Sequence, residues 1–442
     1  MAKILDSKLI ERILKETGSL EKRKRKLPAR LVVLLVVAMT LYARESISEV
    51  LNILVEGLRI HGAYLLGACL PVKSALAQAR QRLGVEPMVR LFHALAHPIA
   101  QAGDEWAFYK GLKLMALDGT CVAVPDTPAN DRFFGRPEGG KRKSSWPMAR
   151  IVVLIEIGTR MTVDAFIGAY RIAEKWGAIR LMRSLHKGML LLWDRGFVGY
   201  ELFKRVLVQE AHLLGRLQSH MVFQPMNTLE DGSFLAKLYP SPLARMKDHM
   251  GIVVRIIEYT ITDPARSGFR QKHRLITSLL NHELYPAKEL IVLYHERWEI
   301  EIGYDEIKTH LIGKTPALRS QTPLGCLQEI YGLLIAHISI RSLMYEAASK
   351  YDLDPDRLSF IDSVRVIWRA IPRMQAAKTE LLPVYYEMML DEIASHLLPP
   401  RRNRINPRVV KQKMSKFLSK RFEHYQFPQS QTTFENSIYV LN

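Results

Sequence analysis

The stretch Tyr294-His295-Glu296-Arg297-Trp298-Glu299-Ile300-Glu301, running on to Lys308, decides both fold class and function for this chain. Its pattern predicts helix. At about 100° per residue, Tyr294, Arg297, Glu301 and Lys308 fall near 0°, 300°, 340° and 320°. One narrow stripe then carries a phenol, two cations and a carboxylate, a set suited to gripping a phosphate beside a metal ion. Asp305, at about 20°, is a competing helical carboxylate. A helical Glu beside Arg also serves as an ordinary solvated ion pair, so spacing alone leaves both readings open.

Outward from this segment, two further carboxylates follow apolar runs. Leu112 to Leu117 leads into Asp118-Gly119-Thr120, and Met189 to Trp193 leads into Asp194-Arg195-Gly196. Ile151 to Ile155 and Met161 to Ile167 also read as strands, with helices over 173–185 and from Gly199. Hairpin strands mixed with crossover helices indicate an α/β core. Asp at a strand end can point into a cleft, and it is also a common turn former. Three carboxylates converging from two strands and a helix could hold two Mg²⁺ ions, which prefer oxygen ligands. Such a pair activates a hydroxyl and stabilises a leaving oxygen in phosphodiester chemistry.

The flanks differ in character. Residues 1–105 read as a helical region. The apolar run from Leu31 to Ala43 is a buried helix, Ser46-x-x-Glu49 is a capping box, and a helix from Ser74 carries Gln78, Arg80, Gln81 and Arg82 before stopping at Gly84. Amides and cations on a short helix suit DNA contact, and a solvated face would look the same. Core residues 106–218 precede a β-rich insertion at 219–280, rich in β-branched residues with Pro and Gly turns. Core sequence resumes at 281–350, and 351–442 reads as helical and basic, with many Lys and Arg and no acid from Arg401 to Arg421.

Lys plus Arg number 63 against 44 Asp plus Glu, a formal charge of +19 over 442 residues, which points to a polyanionic partner. With 48% hydrophobic residues the chain can bury a large core, which excludes global disorder. Cys69, Cys121 and Cys326 form no CxxC pair, so a zinc or disulfide framework is not expected. His295-Glu296 lacks the second His of a zincin, and Gly139-Gly140-Lys141 is no Walker A loop. With no signal-peptide pattern, and with the longest strongly apolar run, Leu31 to Ala43, too short to span a bilayer, a soluble cytoplasmic protein without a membrane partner is expected.

These motifs resemble the DDE transposases of the insertion sequence 4 family. The likeness lies in Trp193-Asp194-Arg195-Gly196-Phe197, in Asp118-Gly119-Thr120 with Val124-Pro125-Asp126-Thr127-Pro128 and Phe134-Gly135 after it, and in the signature Y-(2)-R-(3)-E-(6)-K met by Tyr294, Arg297, Glu301 and Lys308. The resemblance implies an RNase H-like core with Asp118, Asp194 and Glu301 as catalytic ligands of two Mg²⁺ ions, for which Mn²⁺ can substitute. It implies that Tyr294, Arg297 and Lys308 contact phosphates, with Arg80, Arg82, Lys141, Arg142, Lys143 and Arg195 as further DNA-binding candidates. Double-stranded DNA, both transposon end and target, is the expected partner, bound by a homodimer in a nucleoid-associated synaptic complex. Relatives cut and paste through a DNA hairpin with a flipped base stacked on an aromatic side chain. Here no Trp lies between Trp193 and Trp298, which leaves Phe223, Tyr239 and Phe269 as candidates. A nuclease without strand transfer, or a domesticated DNA-binding derivative, is the alternative.

Overall fold

The computed structural model describes residues 5–23, 27–60, 71–139, 142–143, 146–264, 266, 268–312, 317–399 and 432–441. Side chains at 57–60, 138–139, 142–143, 296, 298–301 and 308–309 lie outside the description. In chain order the first elements are α1 (Ser7–Glu16), α2 (Ala29–Leu41), α3 (Ile47–Ile60), α4 (Lys73–Leu83), α5 (Glu86–Leu95), β1 (Phe108–Tyr109), β2 (Leu112–Ala123) and α6 (Pro128–Phe134). Next come β3 (Glu138–Gly139), β4 (Arg142–Lys143), β5 (Met148–Glu156), β6 (Met161–Ala169), α7 (Glu174–Leu181), β7 (Met189–Trp193), α8 (Tyr200–Val208) and β8 (His212–Arg216). They continue with β9 (Asn227–Thr228), β10 (Phe234–Leu238), α9 (Pro242–Met246), β11 (Ile252–Ile261), β12 (Lys272–Thr277) and α10 (Ala287–Tyr294). The last are α11 (Glu299–Asp305), α12 (Pro323–Lys350), α13 (Phe360–Ala376), α14 (Leu382–Ser395) and β13 (Ile438–Val440). The fold is mixed α/β, as the alternating periodicities predict.

Two compact units divide the chain: Met1–Ser184 with Trp298–Leu398, and Leu185–Arg297 with Pro399–Asn442. In the first, β6, β5 and β2 form an antiparallel meander. Long strands rich in Val, Ile and Leu suit it, since both faces of β5 are buried from Ile151 onward. The apolar helix expected from Leu31 is α2, and it packs on α12. Neither has a wet face of any width, because each is enclosed by other elements. By length and composition α12 could cross a membrane, yet 78% of its most apolar window is buried within the protein. The expected capping box forms in part, with Ser46 Oγ accepting the Glu49 N–H at 3.1 Å.

The α2–α12 contact is close because Gly332 has no side chain. A Cβ there would lie 2.8 Å from the Val36 carbonyl oxygen. Overpacking against backbone costs about 1–3 kcal/mol, which outweighs the roughly 1 kcal/mol that Ala gains over Gly in a helix. Gly332→Ala is therefore predicted to lower the urea midpoint of unfolding; an unchanged or raised midpoint would refute the tight crossing.

In the second unit, β7 and β8 are parallel and joined by α8, a βαβ crossover. Residues 219–280 contain β9 to β12, in the order β8-β12-β11-β10-β9. These strands continue a sheet begun by β8, since β12 pairs with β8. Arg255, fully buried, ties the insertion together. It donates to Ser233 Oγ and to the carbonyls of Leu279 and Tyr285, and it pairs with Asp231. Asp231 in turn accepts the Ala287 N–H at 2.8 Å, capping α10.

The C-terminal expectation needs correction. After α13 and α14 the chain does not stay helical: β13 returns to pair antiparallel with β11. A short Ile-Tyr-Val run gives little signal alone, and pairing with an existing strand supplies its backbone partners. The basic segment 401–421 lies outside the described residues.

Candidate active site

Asp118 lies inside β2 and not at its end, a departure from the expected strand-tip position. Strand β5 matches β2 residue for residue from Met115↔Glu156 to Ala123↔Met148, so Gly119 and Thr120 pair with Val152 and Ile151 instead of turning. Gly119 serves a close approach: a Cβ there would fall 1.6 Å from a carboxylate oxygen of Glu174, at the start of α7. Arg150 stands 4.0 Å from that carboxylate. No motif marks Glu174 in the sequence, since only the fold brings it to β2. Asp118 is partly exposed, and its own carboxylate accepts the Gly119 N–H at 2.8 Å.

Glu301 lies in α11, its side chain outside the description. Helix α11 packs on β2. One turn after Glu301, Tyr304 is buried and donates its hydroxyl to the Asp118 carbonyl at 2.6 Å. The helix that carries one candidate carboxylate is thus bonded to the residue that carries another. Burial, reinforced by the Asp118 charge, holds the Tyr304 phenol far above its ordinary range, with a Val153 backbone hydrogen bond opposing the rise. The competing Asp305 is exposed, 3.4 Å from His310.

In the second unit Asp194 directly follows β7, as expected. Its strand is anchored by Trp193, fully buried against Gly215 on β8, where a Cβ would lie 1.7 Å from the indole nitrogen. Asp194 opens a turn closed by the Phe197 N–H on its carbonyl at 3.0 Å, and it is partly exposed. Arg195 is exposed, with its carbonyl accepting from Gln218 at 3.0 Å.

The signature helix is not one uniform helix. Tyr294 ends α10, His295–Trp298 is a 3₁₀ turn, α11 follows, and Glu306–Leu311 is a π-helix in which the Ile312 N–H reaches the Ile307 carbonyl. Changes of winding remove the single stripe that a constant 100° per residue predicts. Tyr294 and Arg297 belong to one unit and Glu301 and Lys308 to the other. Tyr294 is 7% exposed and donates to the Trp193 carbonyl at 3.1 Å. Burial, aided by Asp194, pushes its phenol up, against Arg297. Arg297 is also 7% exposed, with its guanidinium 5.9 Å from the Tyr294 ring centre. Neither presents the open phosphate-facing surface that the wheel predicts. The Lys308 side chain lies outside the description.

Among the remaining DNA candidates, Arg80 is corrected. It is 7% exposed, and it donates to Gln328 Oε1 at 3.0 Å and the Gly325 carbonyl at 2.9 Å, with Glu329 3.8 Å away. The α4 face that bears it looks inward to α12, so this guanidinium braces the core. Arg82, on the same helix, is exposed. Lys141 lies outside the described residues, and Arg142 and Lys143 are described only as backbone of the β3–β4 hairpin. Of the aromatic candidates, Tyr239 donates to Asp248 at 2.6 Å, Phe269 has the Arg270 guanidinium 5.0 Å from its ring centre, and Phe223 is partly exposed.

Among the described residues no group of three or more His, Cys, Asp or Glu could hold a metal ion, and Glu301's side chain is not in that set. The donor chemistry of Asp118, Asp194 and Glu301 is carboxylate oxygen, which fits a hard divalent cation.

Residues 1–93 match the family model for the insertion element 4 transposase N-terminal region, and residues 109–338 match the transposase DDE domain. The chain is 32% identical to the transposase InsG of insertion sequence element IS4 from Escherichia coli K12, over 93% of this chain and 92% of that one. It is 29% identical to the putative transposase InsZ of the same strain, over 41% of this chain and 58% of the relative. A solved piggyBac transposase synaptic complex with hairpin DNA aligns over 89% of this chain and 84% of that one, at 11% identity and a TM-score of 0.46.

Proposed function

The chain belongs to the insertion element 4 family of DDE transposases, and from that premise we propose that it excises and reinserts its element at terminal inverted repeats, using Asp118, Asp194 and Glu301 to bind two Mg²⁺ ions. The protein is a transposase, a nuclease and transesterase acting on DNA. What carries the residue assignment is the unbroken signature from Tyr294 to Lys308 together with both Asp blocks. The Tyr304 bond from the Glu301 helix to Asp118 supports it.

Asp118, Asp194 and Glu301 would hold the divalent pair, whose chemistry when bound would be activation of the attacking hydroxyl and stabilisation of the leaving oxygen. Asp118 and Asp194 supply oxygen ligands from β2 and from the end of β7, and Glu301 supplies one from α11. Lys308 holds a phosphate flanking the cut as a point charge, while Arg297, buried at the Tyr294 ring, reaches phosphate as a planar fork only by leaving that position. Tyr294 positions the Asp194 strand through Trp193 and reaches phosphate only by giving up that bond. Arg82, Arg142, Lys143 and Arg195, with Lys141, add phosphate contacts. Residues 1–105 and the insertion read the element ends, and two copies meet on DNA to bring both ends together. A hairpin step would use Phe223, Tyr239 or Phe269 for the flipped base.

Strand transfer separates this reading from a plain nuclease. Purified protein given pre-cut, 3′-hydroxyl transposon ends, a target plasmid and Mg²⁺ is expected to yield covalently joined product. Hydrolysis of intact ends without any joining would reduce the activity to that of a nuclease.

A further inference from the structure

Tyr304 lies outside the Y-R-E-K signature, yet its hydroxyl bonds the Glu301 helix to the candidate aspartate strand. It is three residues after Glu301, so the two positions share a face of α11. At 8% exposure its ring is enclosed, and its hydroxyl meets the Asp118 main-chain carbonyl at 2.6 Å. Asp118 stands opposite Val153 in the β2–β5 ladder. One hydroxyl therefore ties the helix to β2 at the residue that carries the carboxylate. The same device recurs in the other unit, where Tyr294 donates to the carbonyl of Trp193, the residue before Asp194.

We propose that Tyr304 is a positioning residue of the transposase reaction, whose hydroxyl sets the placement of Asp118 relative to the helix bearing Glu301. This rests on the reading of Asp118 as a metal ligand. A carboxylate on a strand interior has its backbone fixed by the ladder, while its distance to a helical ligand depends on how the helix docks. A phenol enclosed at this depth is a donor whose partner water does not readily replace. The site it serves takes a divalent cation.

Tyr304→Phe removes only the hydroxyl. Outer-shell partners of metal ligands are typically worth about 10- to 100-fold in affinity or activity. Mn²⁺ affinity of the DNA-free full-length protein, measured by calorimetry or electron paramagnetic resonance, is expected to fall by about tenfold or more on that basis. The rate of end nicking should fall with KM for end DNA unchanged, and end binding by gel shift should stay at the wild-type level. Wild-type Mn²⁺ affinity in Tyr304→Phe would overturn the assignment. If Tyr304→Phe does not fold, 3-fluorotyrosine incorporated at 304 tests the same hydroxyl as a stronger donor: a shifted Mn²⁺ affinity supports the role, and an unmoved one overturns it. Asp118→Ala that still binds Mn²⁺ fully would remove the premise. Loss in Asp118→Ala with Tyr304→Phe unaffected would remove only the role of Tyr304.

Discussion

Asp118→Ala, Asp194→Ala and Glu301→Ala proteins are expected to bind transposon ends at wild-type affinity and to cut none of them. On the proposed assignment, each substitution deletes one oxygen ligand from a site whose charge stabilisation is worth several kcal/mol. At about 1.4 kcal/mol per decade, that is a loss of about 10³-fold or more. Binding survives because affinity for DNA rests on phosphate neutralisation by many cations, and the net charge of +19 is spread along the chain. Asp118 and Asp194 are both partly exposed, so their loss leaves the core packed. A purified variant of any of the three that still nicks end DNA in Mg²⁺ would sink the assignment of that residue. Weakened end binding in all three, with cleavage reduced only in proportion, would point instead to a purely structural role.

The second large effect concerns stability. Glu306, three per cent exposed at the start of the π-helix, is enclosed by Arg160, His337 and Arg341. Arg160 Nη1 donates at 2.9 Å, Arg341 Nε at 2.9 Å and His337 Nε2 lies at 3.0 Å, while Arg341 makes a second contact. Arg160 also pairs with Asp356 at 3.3 Å. Burial alone would raise the Glu306 carboxyl, but Arg341, His337 and Arg160 together hold it far below the usual carboxylate range. Glu306→Gln leaves the buried Arg341 guanidinium without its paired carboxylate and Arg160 with Asp356 alone, which costs about 3–5 kcal/mol. Urea or thermal unfolding followed by circular dichroism should show that loss, and a variant as stable as wild type would refute it.

The same cluster makes stability pH-dependent in a defined direction. A carboxyl depressed on folding contributes fully above its unfolded value near 4.5 and loses that contribution as pH falls towards its folded value. Burial depresses His337 on folding, with Glu306 opposing, so protonation below its ordinary 6.5 also favours the unfolded chain. Both act the same way: wild type should lose stability on acidification from neutral pH, and Glu306→Gln should lose less of it between pH 5 and 3. Because Glu306 lies between Glu301 and Lys308, loosening this cluster should disturb cleavage as well.

Local pattern carried much of this protein. Alternation and β-branched runs mark the meander, Met189 to Trp193 marks its strand to the residue, and Gly84 marks the end of α4 with a positive φ of 73°. Asp118 was misplaced at a strand end because Gly119 and Thr120 look like turn residues. Their strand conformation comes from the long partner β5 and from the Glu174 carboxylate above Gly119. Arg80 looked like a DNA contact because a helix face of amides and cations does not say which way it points. The buried Gln328 and Glu329 that claim it are about 250 residues away along the chain.

By itself the sequence determined the chemistry: three carboxylates, the phosphate-binding residue types at their spacing, and a basic chain, all of which depend on residue identity alone. Tertiary structure decided which of those groups stay available. It buried Tyr294, Arg297 and Arg80, changed the winding of the signature helix, and chose Tyr304 and Glu306 as the groups that hold it. Those outcomes depend on contacts between segments far apart in the chain, and hydrogen-bond partners and burial are properties of the packed whole, which no local pattern encodes.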